Sequence, residues 1–412
     1  MLKSAGFSLA SKLVMAACNF GTMVLISRYL GTEQRGICGW YLVVIAISLV
    51  FSELAVGAGA GVLLQKYSLA GIKMLGYIWS FFSSLIVISF FWGLGKINGM
   101  EWGLLWLLSW LNAANTLHLT MLLARQRFVL YNGLNIFLSF FTFFLFFLFV
   151  NFGGRSSYVF LYSMVLVWGA GFVIVFVALY QKNTASFAHA WHPQLRKDGF
   201  KYGFANQASH LTGLLHSRMV FLLLPGALLG VFSNGLSLAE ALLMIPTSMG
   251  QILFASILNN KGQKASANKA RLLWWLSIGI LSATFCVFLF VPDTFFQFIF
   301  SKSFSGIKNY FMVLAFGMIF YSGYLVLSYW QSANGFFIKN FYATSVGFFA
   351  NALLCVALYF TKHLSPLSGA YALSFGFFVI FVYSAFQFCK VNGGYRSLFS
   401  PPGIKDLSLV FA

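Results

Sequence analysis

The chain has 412 residues, of which 60% are hydrophobic and 8% charged, with 26 Lys and Arg against 7 Asp and Glu and a net charge of +19. About a quarter of an ordinary soluble domain is charged, so this composition excludes a water-soluble globular protein and makes lipid the main solvent. The few polar residues inside apolar segments are then the best guides to function, because each is costly there.

A membrane-spanning helix needs ~20 apolar residues. Spans are expected at 6–27, 37–59, 74–95, 102–124, 129–151, 157–180, 203–225, 231–257, 272–292, 309–330, 341–360 and 367–388. These runs are apolar all round, without the alternation of barrel strands, and a helix satisfies its own backbone in lipid. The expected fold class is an all-α polytopic membrane protein of about 12 transmembrane helices. The first span contains Lys12 and Asn19 and lacks a small-residue cleavage site, so it reads as a retained helix. With the N-terminus inside, seventeen basic residues of the loops and tails fall on the cytoplasmic side and seven outside. That positive-inside bias puts both termini in the cytoplasm of a multi-pass cell (inner) membrane protein. It also explains the net charge through topology and anionic lipid, and no nucleic acid is expected.

The longest internal polar segment, Gln181 to Tyr202, follows the sixth span. It divides the chain into an N-terminal six-helix lobe (1–181), a cytoplasmic interfacial linker (182–202), a C-terminal six-helix lobe (203–390) and a cytoplasmic tail (391–412). Leu30-Gly31 followed by Gly36 in the first half parallels Pro225-Gly226 followed by Gly230 in the second. Repeats of like orientation imply a pseudo-two-fold axis along the membrane normal.

Span one carries Ser4, Ser8, Ser11, Lys12, Asn19 and Thr22 within about 100° of one another. Such a stripe must face protein or water. Helix packing and a cavity wall both satisfy it, and Lys12 could also snorkel. Spans four and five add Asn112, Asn115, His118, Asn132 and Asn135, suited to sugar hydroxyls or to interhelical bonding. Span seven is the most polar: Asn206, His210, Gly213 and Ser217 share one face, Gln207 and Arg218 a neighbouring one, and the span also carries His216. The candidate substrate-binding residues are Lys12, Asn19, Asn206, Gln207, His210, His216 and Arg218. Glu53, in the inner part of span two, and Glu240, in the middle of span eight, are the intramembrane carboxylates. Each could pair with Lys12 or Arg218, or carry a coupling proton, since burial favours the neutral acid. Pro246 favours a kink in span eight.

There is no Walker A loop, HExxH, nucleophile elbow or dinucleotide fingerprint. The five cysteines, Cys18, Cys38, Cys286, Cys355 and Cys389, show neither a pairing nor a metal-type spacing. No cofactor, metal or enzymatic activity is expected.

Several segments in chain order resemble the polysaccharide repeat-unit flippases (Wzx-type, O-antigen and other lipid-linked oligosaccharides). These belong to the multidrug, oligosaccharidyl-lipid and polysaccharide exporter superfamily. The segments are Leu13 to Gly36 with Ser27-Arg28-Tyr29-Leu30-Gly31; Arg125-Gln126-Arg127-Phe128 with Tyr131-Asn132; Gly230 to Pro246 through Leu238-Ala239-Glu240; Ala333-Asn334-Gly335 with Asn351; and Ser368-Gly369-Ala370 with Ala372 and Ser374. The resemblance implies two six-helix lobes in a V around a cavity. It implies movement of undecaprenyl-diphosphate-linked oligosaccharide to the periplasmic leaflet by alternating access, for surface polysaccharide biosynthesis, with the polysaccharide polymerase and chain-length machinery as possible partners. Two departures stand out. The family's lipid II flippases typically have fourteen spans, and the drug-exporting relatives usually place an acidic residue in span one, which has none here. The alternatives are a small-solute or drug antiporter of the same superfamily and a membrane-embedded polymerase or acyltransferase. The last would need a large external loop or a His-Asp constellation, and neither is visible.

Overall fold

A computed structural model describes residues 2–57, 60–64, 66–125, 127–179, 193–224, 226–259 and 263–401. Among them the regular structure is helical: α1 (Leu2–Ser52), α2 (Ala60–Leu63), α3 (Leu69–Gly93), α4 (Gly99–Ala124), α5 (Phe128–Phe152), α6 (Ser157–Ala178), α7 (Pro193–Leu223), α8 (Gly226–Ala241), α9 (Met244–Asn259), α10 (Gln263–Phe290), α11 (Asp293–Phe300), α12 (Ile307–Ala333), α13 (Phe337–Phe360), α14 (Pro366–Val391) and α15 (Arg396–Phe399). Eight helices are long and apolar enough to cross a membrane, nine if the bent pair α8–α9 counts as one span. Gly31, at φ 77° and ψ −175°, breaks α1 into two spans. The remaining two of the twelve expected spans are α4 and α7, which are long enough but hold Asn112, Asn115 and His118, and Gln207, His210, His216 and Arg218. This is a multi-pass membrane protein of about twelve spans.

The chain forms two compact units, Met1–Leu211 and Thr212–Ala412. In the first, α1 packs against α3, α4 and α5, and α4 against α3 and α6. One apolar cluster gathers Tyr41, Ile88, Phe146 and Phe160, and a second Leu63, Ile72, Met121, Leu134 and Val175. In the second unit α12 is the central helix, touching α8, α9, α10 and α14, with Trp274, Trp330 and Phe388 in its core. There α13 and α14 cross at Gly347 and Gly376: a Cβ added to either would lie 3.0 Å from the other's carbonyl oxygen. Small residues allow such backbone approach where lipid gives no hydrophobic drive between helices.

Three expectations are corrected. The loop expected between spans one and two, 28–36, is helical except at Gly31, where glycine's freedom at positive φ turns the chain without one. Span two ends at Ser52 rather than 59, so Glu53 lies in the turn beyond it. Within the expected linker 182–202, residues from Pro193 onward are the first turns of α7, because the cluster Arg196, Lys197, Asp198 is compatible with a continuous helix. Residues 182–192 and the tail beyond 401 lie outside the described residues. Span eight is broken as expected, by 41° between α8 and α9. The cause is local: Leu242 and Leu243 bond back three residues, to Ala239 and Glu240, and Pro246 has no N–H for the Leu242 carbonyl. The helix α11 was not foreseen.

Polar side chains are mostly satisfied within their own helix. Thr22 and Ser27 donate to the carbonyls four residues back, at 3.0 and 2.8 Å. Ser11 is buried while Asn19 is exposed, so the stripe of span one is divided between packing and surface.

Candidate functional site

Each unit holds one of the two carboxylates, and each carboxylate has a partner on α7. In the first unit, Gln207 donates its Nε2–H to Glu53 Oε2 at 2.5 Å. The Gln207 side chain is 1% exposed and its Oε1 has no hydrogen-bond partner among the described residues. The contact depends on close seating of α7 on the turn after α1. Gly199 and Gly203, four apart on one helix face, meet the carbonyls of Ala55 and Leu54 so closely that an added Cβ would lie 2.1 and 2.0 Å from their oxygens. Asp198, on the adjoining turn, accepts from Tyr67 at 3.0 Å and Gln194 at 3.1 Å.

In the second unit, Arg218 of α7 meets Glu240 on the last turn of α8. Its Nη2 lies 3.0 Å from Oε1 and 3.1 Å from Oε2. The ring of Phe221 lies 5.3 Å from the guanidinium carbon. The other guanidinium nitrogens, Nε and Nη1, make no hydrogen bond among the described residues. The side chains are 23% and 33% exposed. Tyr321 of α12 is tilted on Phe377 at 4.5 Å between centroids. The ion pair leaves Nε and Nη1 as donors still to be used, and because each two-nitrogen edge of a guanidinium includes Nη2, a phosphate or carboxylate bonds it two-fold only where Glu240 gives up that nitrogen.

The other expected site residues separate. His210 and Asn19 are exposed and Lys12 is half-buried; the Asn206 side chain lies outside the described residues. His216 does not line a surface, contrary to expectation. It is 1% exposed, its ring edge-on to Phe377 at 4.7 Å and its carbonyl accepting from Asn351 at 2.7 Å. A histidine on a polar helix face can equally be a packing residue, and α14 covers it at Gly376. Glu53 and Glu240 take different partners, Gln207 and Arg218, and neither is paired with Lys12 in a described contact. His118 is also internal, hydrogen-bonded to Tyr77.

One polar network was missed by sequence reasoning. Tyr41 donates to Glu101 Oε1 at 2.5 Å, Glu101 Oε2 accepts from the Asn98 backbone at 2.8 Å, and Asn98 Nδ2 donates to the Tyr158 hydroxyl at 2.8 Å. It ties the starts of α4 and α6 to α1, and the Asn98–Glu101 capping-box spacing was its readable signal. Among the described residues no group of His, Cys, Asp and Glu could hold a metal ion, and the five cysteines are free.

Cysteine placed at Asn19 or His210, in a chain without the five native cysteines, is expected to react with a charged thiol reagent. Cysteine at Gln207 or His216 is expected to stay unlabelled, because a buried thiol neither meets the reagent nor ionises readily. Equal labelling at all four would contradict this division of α1 and α7 into wet and packed positions.

The sequence matches no protein-family model, and no curated protein is a match to it. Solved structures are similar over nearly the whole chain. The lipid II flippase MurJ, in an inward closed conformation, superposes with a TM-score of 0.70 at 14% identity, covering 100% of this chain and 96% of that one. The chain has the fold of the MOP-superfamily transporters. An inward-facing multidrug resistance MATE family transporter of that superfamily gives 0.67 at 13% identity, covering 92% and 95%. The Vibrio cholerae MATE transporter VcmN gives 0.61 at 14%, covering 95% and 98%. The all-α architecture of about twelve spans expected from the sequence is that of the MOP fold.

Proposed function

We propose that this MOP-fold chain is a flippase that carries undecaprenyl-diphosphate-linked oligosaccharide repeat units from the cytoplasmic to the periplasmic leaflet of the inner membrane. It works by alternating access, with both termini cytoplasmic, for surface polysaccharide of the O-antigen or capsule type. The observation that carries the reading is the half-used guanidinium of Arg218: a cation within a spanning helix, held by one carboxylate through one nitrogen, with two nitrogens still to bond. A diphosphate is the part of such a substrate that most needs a fixed planar donor inside the membrane. Asn19 and His210, both exposed, are suited to sugar hydroxyls. The polyprenyl tail can stay in lipid while the head group crosses. The likeness to a lipid II flippase supports a lipid-linked substrate, and the chain is read as a transporter rather than an enzyme. The polymerase and chain-length machinery are proposed partners.

The test uses the purified chain in proteoliposomes loaded with a fluorescent undecaprenyl-diphosphate oligosaccharide. The reading expects label to become accessible to a membrane-impermeant quencher faster than in empty vesicles. No acceleration, together with proton-driven uptake of a cationic drug, would replace it with the antiporter reading.

A further inference from the structure

Glu240 stands where a ligand anion would stand. Both its oxygens lie within 3.1 Å of Arg218 Nη2, so an anion approaching Arg218 meets an ion pair that is neutral as a whole. Its second property is its place in the chain. It is two residues before the break between α8 and α9, and its own carbonyl accepts the Leu243 N–H at 3.0 Å to close the last turn. The side chain therefore ties α7 to the bent span at its bend. The helices beyond the break are not locked by their own backbone there, since Pro246 leaves the Leu242 carbonyl without its helical donor.

We propose that Glu240 is a built-in competitor for Arg218: an anionic head group displaces it, and its release frees the α8–α9 bend from α7. This rests on the reading of Arg218 as the head-group anchor. A phosphate with more than one negative charge and several acceptor oxygens outcompetes a single carboxylate for a guanidinium: it can bond the open Nε or Nη1 first, and it closes a two-nitrogen edge only as Glu240 leaves Nη2. Ligand binding and the state of the bend are then two sides of one equilibrium, coupled in the range of five- to 150-fold in affinity that is typical of linked sites. An arginine without an internal competitor would hold an anion more tightly but would tell the helices nothing.

The experiment uses the full chain in detergent, with inorganic pyrophosphate as the probe and binding followed by calorimetry. Glu240→Gln keeps the size of the side chain and removes its charge; Glu240→Ala is the second variant should the first fail to fold. The proposal expects pyrophosphate to bind the Glu240→Gln chain about tenfold more tightly than the wild type, and Arg218→Ala to lose binding in both backgrounds. Equal or weaker binding by the Glu240 variants means that the carboxylate merely positions Arg218, and the proposal falls while the anchor reading stands. Unchanged binding by Arg218→Ala removes the anchor reading itself, and the proposal with it. Spin labels at Leu222 on α7 and Ile252 on α9, both exposed, report the tether in a chain without native cysteines. Pyrophosphate should shift their distance distribution in the wild type, and Glu240→Gln should show the shifted distribution before any is added. A distribution indifferent to both changes overturns the coupling to the bend.

Discussion

Alanine in place of Gly203 is expected to remove most folded protein from the membrane, and Gly199→Ala to do nearly the same. The clash is with backbone on both sides. The new methyl would lie 2.0 Å from the Leu54 oxygen and 2.5 Å from its carbonyl carbon at position 203, and 2.1 Å from the Ala55 oxygen at position 199. No rotamer change relieves this, so α7 must lift off the turn, breaking the Gln207–Glu53 bond and uncovering a buried amide. Overpacking of this kind costs about 1–3 kcal/mol per site, and the stranded hydrogen-bond partners add about 1–3 more. Against a total stability of about 5–15 kcal/mol, a loss of about 2–6 kcal/mol leaves the first unit largely unfolded at growth temperature where its stability lies at the lower end of that range. Gly103→Ala in α4 is the control, since nothing lies within 4 Å of the added methyl there and a helical alanine gains about 0.5–1 kcal/mol over glycine. Monodisperse yield and thermal midpoint in detergent measure all three. If Gly203→Ala melted with the control, the close seating of α7 would be wrong.

Arg218→Ala should reduce lipid-linked oligosaccharide transport at least tenfold, and toward a hundredfold where both open nitrogens are used. A charge-assisted hydrogen bond is worth about 1.5–3 kcal/mol, and about 1.4 kcal/mol is a factor of ten. Arg218→Lys should keep a part of the activity, because it retains the charge but not the planar fork. The alanine variant also leaves Glu240 unpaired, which confounds transport with folding. Arg218→Ala combined with Glu240→Gln separates the two: it should recover the thermal midpoint while staying inactive. Transport restored by the double variant would show that Arg218 serves only to neutralise Glu240. The assay is quencher accessibility in proteoliposomes, with the amount of folded protein in each preparation set equal by size exclusion.

The two sites differ in how far they could be read in advance. Arg218 and Glu240 stood out because a charge in an apolar helix is costly whatever surrounds it, and the cost is written in the residue type. Their pairing was one of several allowed, since 22 residues and a helix turn-around separate them and either could have met another partner. Gln207 was placed correctly on α7 but not in its role: its face looks open in a helical projection, and only the approach of the turn after Ser52 buries it. His216 is sealed for the same reason, since the part of α7 that carries it is covered by α14 at Gly376. The network of Tyr41, Glu101 and Tyr158 joins residues 60 positions apart in the chain, and only its Asn98–Glu101 part has a local spacing to announce it.

The sequence by itself determined the solvent, the helical class, the number of spans and the break near Pro246. Each follows from a local rule: twenty apolar residues span the hydrocarbon, lipid forces the backbone to bond within its own helix, and proline lacks a donor. The tertiary structure decided which polar groups face one another and which are sealed. It joined spans one and two at a kink on Gly31 without a loop, seated two glycines of α7 on two carbonyls, gave Glu53 to Gln207 and Glu240 to Arg218, and left two nitrogens of a guanidinium unused. Those outcomes depend on the approach of segments far apart in sequence, where a shift of one helical position exchanges a buried partner for an exposed one. Composition and period constrain each helix alone and are silent on that register.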